Sequence, residues 1–298
     1  MGTTSQREVV VGIAQWLPVG GDSGDTLGDA GPYIEQLAVE GCELVVLPEL
    51  WPCAHDPAHP AAVAKEVRRR AETIDGARTR ALARTAREHG IWLAAGSVPE
   101  RTDHGIFNTA LLFSPDGSLH ATHRKAHLYR PMHEDLAFEP GACVTACDTE
   151  LLGRIGLLVC FDGDFPEVAR ALRSSGARVV IQVNAYELAA ESWWDRIYPA
   201  NALSNGQWWI MANQCGTRGA TTFLGASRII SPLGDVVAEA PRAKQGETPD
   251  PALLVHRIEL DNLIARADRE AGALVRHARR GLPVELNRGR SDALAIQT

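Results

Sequence analysis

Short apolar runs rich in β-branched residues alternate with amphipathic segments along most of this chain, and that alternation limits its fold more than any other feature. Residues 9–15, 44–47, 91–97, 154–160, 179–183, 208–213 and 252–258 have the length and apolar content of strands. Residues 26–40, 78–89, 166–175, 193–205 and 260–270 read as helices, the first with Pro32 inside its opening turns. Two further pairs read as hairpins. Residues 107–113 and 119–125 flank Ser114-Pro115-Asp116-Gly117, and residues 227–230 and 236–240 flank Pro232-Leu233-Gly234. Strand–helix units favour parallel pairing and hairpins are antiparallel, so the pattern predicts an α/β layer architecture with a mixed sheet under helices. Residues 19–25 and 241–251 read as loops. No shift in composition marks a boundary, which predicts one domain with its core at about residues 9–270 and a basic tail or partner-contacting arm after about residue 279.

Hydrophobic residues make up 45% and charged residues 22%, enough for a sizeable buried core. A formal charge of -7 argues against a nucleic-acid binder and against a polybasic membrane-surface protein, which leaves a small molecule as the expected partner. No stretch reaches the roughly 18–20 apolar residues of a membrane helix. The polar start and the short apolar run after it do not resemble a secretory leader. Six cysteines in a chain this long do not call for a disulfide framework, so reduced thiols and a cytoplasmic location are expected.

Three places could carry chemistry. Cys160 ends an apolar strand and precedes Phe161-Asp162-Gly163-Asp164-Phe165-Pro166, a turn that opens a helix. A thiol at such an elbow lies near backbone N–H groups that can lower its pKa or hold an oxyanion, although a plain core cysteine fits the same residues. Glu49 follows Leu44-Val45-Val46-Leu47-Pro48 at a strand's C-terminal end, where α/β proteins place ligands. It reads as a general base or as a solvated turn residue. Lys125, within His123-Arg124-Lys125-Ala126-His127-Leu128, reads as an oxyanion partner or as part of a basic surface.

Taken together, in the order Glu, Lys, Cys, these pieces resemble the nitrilase superfamily of carbon–nitrogen hydrolases. Leu47-Pro48-Glu49-Leu50-Trp51, Phe107-Asn108-Thr109-Ala110, Lys125-Ala126-His127-Leu128, the block from Cys160 to Glu167, Ala212-Asn213-Gln214-Cys215-Gly216 and Ser231-Pro232-Leu233-Gly234 carry the resemblance. It implies a four-layer αββα sandwich with two central mixed sheets, and a homodimer or higher homo-oligomer formed through a helix near the cysteine. It also implies that Glu49 is the base, Cys160 the nucleophile, and Lys125 with the Phe161 N–H the oxyanion site. Glu134, ahead of Phe138-Glu139-Pro140-Gly141, takes the place of the family's second glutamate, with Asp135 and Glu139 as competing carboxylates. Such chemistry requires no metal and no organic cofactor.

Phe161-Asp162 after the cysteine resembles the amidase and carbamoylase branches rather than true nitrilases. Gly163 and Asp164 stand where amidases for carboxylate-bearing substrates often place Arg. An Asp at the mouth would repel a carboxylate and favour a cation, which points to a neutral or amine-bearing linear amide; a helix cap is the alternative for Asp164. Trp51, Phe161, Asp164, Asn184 and Tyr186 are expected in the substrate pocket. Glu187, Trp193 and Trp194 are divided between pocket, core and dimer contact. The family's Arg-Ala-x-Glu-Asn segment appears here as Asn201-Ala202-Leu203-Ser204-Asn205, which removes an Arg/Glu pair. An N-carbamoyl amine amidohydrolase, a nitrile hydrolase and a catalytically inactive binding protein of the same fold are the alternatives.

Other classes fit less well. Only His256 and His277 follow Cys160, which gives a papain-like partner no supporting context. His120 and His123 point to opposite faces of one strand, and Cys143 with Cys147 lacks a second ligand pair, so no metal centre is expected from His120, His123, His127 and His133. No glycine-rich phosphate loop is present.

Overall fold

A computed structural model describes residues 7–19, 26–54 and 56–276. Its strands in chain order are β1 (Glu8–Gln15), β2 (Leu44–Val46), β3 (Trp92–Thr102), β4 (Gly105–Phe113), β5 (Leu119–Arg124), β6 (Thr145–Thr149) and β7 (Gly153–Val159). There follow β8 (Val179–Asn184), β9 (Trp208–Asn213), β10 (Cys215–Arg218), β11 (Thr221–Leu224), β12 (Arg228–Ile230), β13 (Val236–Glu239) and β14 (Ala252–Glu259). The helices are α1 (Ala30–Val39), α2 (Pro60–Arg70), α3 (Ala77–His89), α4 (Pro166–Ser174), α5 (Glu191–Asn205), α6 (Leu260–Glu270) and the short α7 (Ala273–Arg276).

The strands form two six-stranded mixed sheets, ordered β14-β1-β2-β3-β4-β5 and β13-β12-β9-β8-β7-β6, plus the β10–β11 hairpin. In each large sheet three parallel strands occupy the middle (β1, β2, β3 and β7, β8, β9), with antiparallel strands toward the edges. Side-chain alternation sets the layering. On β1, Val9, Val11 and Ile13 face the second sheet and join its Ile155, Leu157, Val179 and Ile181 in one core. Ala14 of β1, with Val45, Leu93 and Phe113, faces the other way and packs on Ile34 and Leu37 of α1 and Leu82 and Ala86 of α3. Val168 and Leu172 of α4 and Trp194 and Tyr198 of α5 cover the far side of the second sheet. The result is an αββα sandwich, as the resemblance implies.

Several boundaries differ from the sequence expectation for identifiable reasons. Helix α1 begins at Ala30, four residues after Thr26. Pro32 thereby falls in the first turn, where an N–H has no intrahelical acceptor to lose. The Asp29 carboxylate meanwhile accepts from Trp16 Nε1 and the Val19 N–H, both at 2.9 Å. Strand β3 runs to Thr102, beyond the expected end at Ser97, through a register shift between Ala94 and Ser97. Helix α2, strand β6 and the β10–β11 hairpin were not anticipated. The expected tail after about residue 279 and most of the loop at 19–25 lie outside the described residues.

Candidate active site

Three loops at strand ends build the site. The loop after β2 carries Glu49, and the irregularity in β3 holds it in place. Gly96 adopts φ +65° there, and a Cβ at that position would fall 2.1 Å from the Pro48 carbonyl oxygen, so the close approach needs glycine. Ser97 Oγ accepts the Leu50 N–H at 2.9 Å, while Leu50 itself sits at φ +47°. The Asn184 carbonyl at the end of β8 accepts both the Glu49 and the Gln214 N–H at 3.2 Å. These bonds fix Glu49 from both sheets at once.

Cys160 leaves β7 with φ +46° and starts the 3-10 turn Cys160–Asp164. A non-glycine residue in that region costs about 1–3 kcal/mol and is kept only where its surroundings impose it. Gln182 Nε2 donates to the Cys160 carbonyl at 3.0 Å, and Asn201 Nδ2 donates to the Gly163 carbonyl at 3.0 Å. Lys125 follows β5, and its N–H donates to the Asn108 carbonyl at 2.8 Å. The Asp162 carboxylate, two residues past the cysteine, accepts from His123 Nε2 (2.9 Å), the Ala126 and His127 N–H groups (3.1 and 2.9 Å) and His127 Nδ1 (2.8 Å). Asp162 thus ties the cysteine turn to the segment on both sides of Lys125.

At the centre, Lys125 Nζ donates to Glu49 Oε1 at 2.9 Å and to Glu134 Oε1 at 2.6 Å. Asn108 Nδ2 also donates to Glu49 Oε1, at 2.8 Å, and the Tyr129 N–H donates to Glu134 Oε2 at 2.7 Å. Glu49, Lys125, Glu134 and Cys160 line a single cleft of about 350 Å³. Burial shapes the protonation of each group. Burial opposes the Lys125 charge, but Glu134, Glu49 and Cys160 outweigh it and hold the ammonium well above its usual pKa. Burial, with the neighbouring Glu49 charge, pushes the Glu134 carboxyl up to about 7 against the pull of Lys125. Burial and then Glu49 drive the Cys160 thiol well above its ordinary value, although Lys125 and a hydrogen bond from the Ala185 N–H work the other way. The resting sulfur is therefore a thiol that needs a base, and a carboxylate lies in the same cleft.

The family model for carbon-nitrogen hydrolase matches residues 10–267. The chain belongs to the carbon–nitrogen hydrolase family. It is 30% identical over 225 residues to omega-amidase NIT2 of Danio rerio, covering 72% of this chain and 78% of that protein. It is 32% identical over 200 residues to 2-oxoglutaramate amidase of Bacillus subtilis (strain 168), covering 67% and 74%. Among solved structures, Saccharomyces cerevisiae Nit3, a member of the nitrilase superfamily, shares the fold with a TM-score of 0.76, 24% identity and coverage of 88% and 94%. The amidase from Nesterenkonia sp. AN1, solved with butyramide, superposes with a TM-score of 0.72 at 27% identity, covering 92% and 98%. Another structure of that amidase shows covalent addition of an acetamide moiety at its active site cysteine.

Within this carbon–nitrogen hydrolase, Phe161, Asp164 and Tyr186 border the cleft, joined by Tyr129, Glu187 and Trp193. Trp51 and Asn184, expected there, do not. The Trp51 indole is buried in the core on the outer side of the first sheet, with Nε1 donating to the Ala95 carbonyl at 2.8 Å. Asn184 turns its amide along the second sheet, donating to the Gln182 and Ala212 carbonyls and accepting from Gln182 Nε2. Asp164 does not cap α4, which has no side-chain cap. Its carboxylate accepts from Tyr186 Oη at 3.0 Å and from Tyr198 Oη, and burial raises its pKa. Trp194 belongs to the core, packed on Tyr186, Tyr198 and Arg228. Of the competing carboxylates, Asp135 faces Arg130 and Glu139 is exposed. Asn201 is buried and holds the cysteine turn, so the altered 201–205 segment still packs.

Among the described residues no group of three or more His, Cys, Asp or Glu side chains is arranged to hold a metal ion. His123 and His127 are committed to Asp162, and His120 to the Asp148 carbonyl. No described helix is long and apolar enough to cross a membrane. Sequence reasoning assigned no role to Asp162, Asn108 or Tyr198. A carboxylate two residues after an apolar strand is a usable signal for the first, since a buried Asp demands partners.

Proposed function

We propose that this hydrolase cleaves the C–N bond of a small linear amide, neutral or amine-bearing, through a thioester on Cys160, releasing ammonia and a carboxylic acid. The observation that carries the proposal is Lys125 Nζ held between the Glu49 and Glu134 carboxylates in the cleft that also contains Cys160. Glu49 takes the thiol proton as Sγ attacks the amide carbon. Lys125 and the Phe161 N–H hold the resulting oxyanion. Glu49 returns the proton to the departing ammonia, then takes one from water, which attacks the thioester. The C–S bond breaks, the acid leaves, and the proton returns to sulfur. Glu134 fixes the Lys125 ammonium and positions the substrate.

The wall supports the choice of substrate. Among the described residues that line the cleft, Lys125 is the one basic residue, and two carboxylates already engage it. Asp164 and Glu187 add two further carboxyl groups to the lining. A substrate ammonium is favoured there and a carboxylate is repelled. The proposed substrate thereby differs from the one in the name of the Bacillus subtilis relative, 2-oxoglutaramate amidase. The same wall accommodates an N-carbamoyl amine as the second reading. Ammonia release from butyramide, 4-aminobutyramide, N-carbamoyl amines and carboxylate-terminated amides tests the proposal, with Cys160→Ala as control. Preferential turnover of the carboxylate-terminated amides would overturn it. The working state proposed is a cytoplasmic homodimer or higher homo-oligomer, and light scattering of the purified chain checks its size.

A further inference from the structure

A second cavity adjoins the first, and Glu49, Met132, Glu134 and Ala185 line both. Its remaining wall is mostly apolar, with Leu50, Cys53, Val63, Phe138 and Phe223, but Gln214 and Arg218 also reach it. Gln214 is 3% exposed, and its Nε2 donates to the Glu49 carbonyl at 2.8 Å. The other end of that amide, Oε1, is buried and accepts no hydrogen bond among the described residues. A buried amide oxygen without a donor costs about 1–3 kcal/mol, so its position calls for a small donor in the cavity. On the shared wall, both described side-chain hydrogen bonds to the Glu49 carboxylate end on Oε1, leaving Oε2 without one among the described residues.

We propose that this rear cavity is the water site that serves deacylation. The inference rests on the amidase reading above. Once the thioester has formed, the acyl chain fills the front cleft toward Tyr186, Glu187 and Trp193, while Glu49 still borders the rear cavity. A water held by Gln214 Oε1 and Glu49 Oε2 has two acceptors for its two protons, within the two to four partners that a buried water needs. Glu49 removes one of those protons as the water oxygen bonds to the thioester carbon. The C–S bond then breaks, the carboxylic acid departs, and the proton passes from Glu49 to Cys160 Sγ.

Val63 is buried on α2 and lines the rear cavity, and it is not among the described residues that line the front cleft. Val63→Phe extends a larger side chain from the wall into the rear cavity. With whichever amide the wild-type enzyme turns over, the expected result is an unchanged first-turnover burst of ammonia and a kcat lowered at least about tenfold. Intact-mass spectrometry should then show the acyl adduct accumulating on Cys160. An unchanged kcat with no adduct in the folded variant would overturn the proposal, as would a slowed burst. A crystal structure of the wild-type protein decides the matter if the variant does not fold. Water within hydrogen-bond distance of Gln214 Oε1 and Glu49 supports the proposal, and a dry cavity rejects it. Absence of ammonia from every amide with wild-type protein would sink the amidase reading instead, and the crystallographic outcome is independent of that reading.

Discussion

Lys125 carries one positive charge between two carboxylates and is 1% exposed. Lys125→Met leaves Glu49 and Glu134 buried with no counter-charge. Removing one partner of a buried ion pair costs about 3–5 kcal/mol, which urea denaturation should read as a lower midpoint, and activity should vanish together with the oxyanion donor. Glu49→Gln keeps the size and the contact with Lys125 but cannot take a proton. It should lower kcat by roughly 10²–10⁴-fold while leaving the melting temperature within a few degrees of the wild-type value. Glu49 and Cys160 stand out in the sequence because each follows an apolar strand, whereas Lys125 follows β5, a polar and mostly exposed strand, and stands out only through the family resemblance. Trp51 and Asn184 were misplaced because nearness along the chain does not say where a side chain points. All six residues of β8 are buried, so no polar alternation marks which face Asn184 takes.

The elements that escaped the sequence share one property: charge or polarity hides their packing. Helix α2 buries Val63, Ala64 and Val67, but Lys65, Glu66 and three consecutive arginines surround that stripe. Strand β6 is an edge strand with an exposed alternate face, and the β10–β11 hairpin turns through Gly219-Ala220, which looks like plain loop. The register shift in β3 is less visible still, since one glycine in an apolar run has many explanations. Its importance is testable. Gly96→Ala puts a Cβ against the Pro48 carbonyl in a left-handed conformation. It should cost about 1–3 kcal/mol in stability and lower kcat as well, because the loop it displaces bears Glu49. Chemical denaturation and steady-state kinetics on the same sample check both. Asp162→Asn tests the tie between the cysteine turn and the Lys125 segment. The hydrogen bonds of His123 and His127 hold the Asp162 pKa well below the usual carboxylate range, despite the burial that opposes its charge. Its stabilisation is present above pH 3.8 and is lost as pH falls. The variant should therefore melt below the wild-type protein at pH 7, and the gap should narrow under acid conditions.

For the whole molecule, Glu134 sets an opposite slope. Burial raises its carboxyl from 4.5 to about 7, so the fold favours the protonated form. That stabilisation is complete below pH 4.5 and is gone once pH has risen through 7. Melting temperature should fall across that window, and Glu134→Gln should flatten the fall, as a thermal scan at half-unit pH steps would read. A slope that persists in the variant would assign it to another group. The two-sheet layering has its own consequence. The carboxylate and the ammonium arrive on loops of one sheet and the thiol on the other, and the Asn184 carbonyl of the second sheet accepts the Glu49 N–H of the first. Neither half of the chain can assemble a reactive centre by itself. In the proposed mechanism, shear between the two slabs would draw the sulfur away from Glu49, so turnover should report how the sandwich is seated.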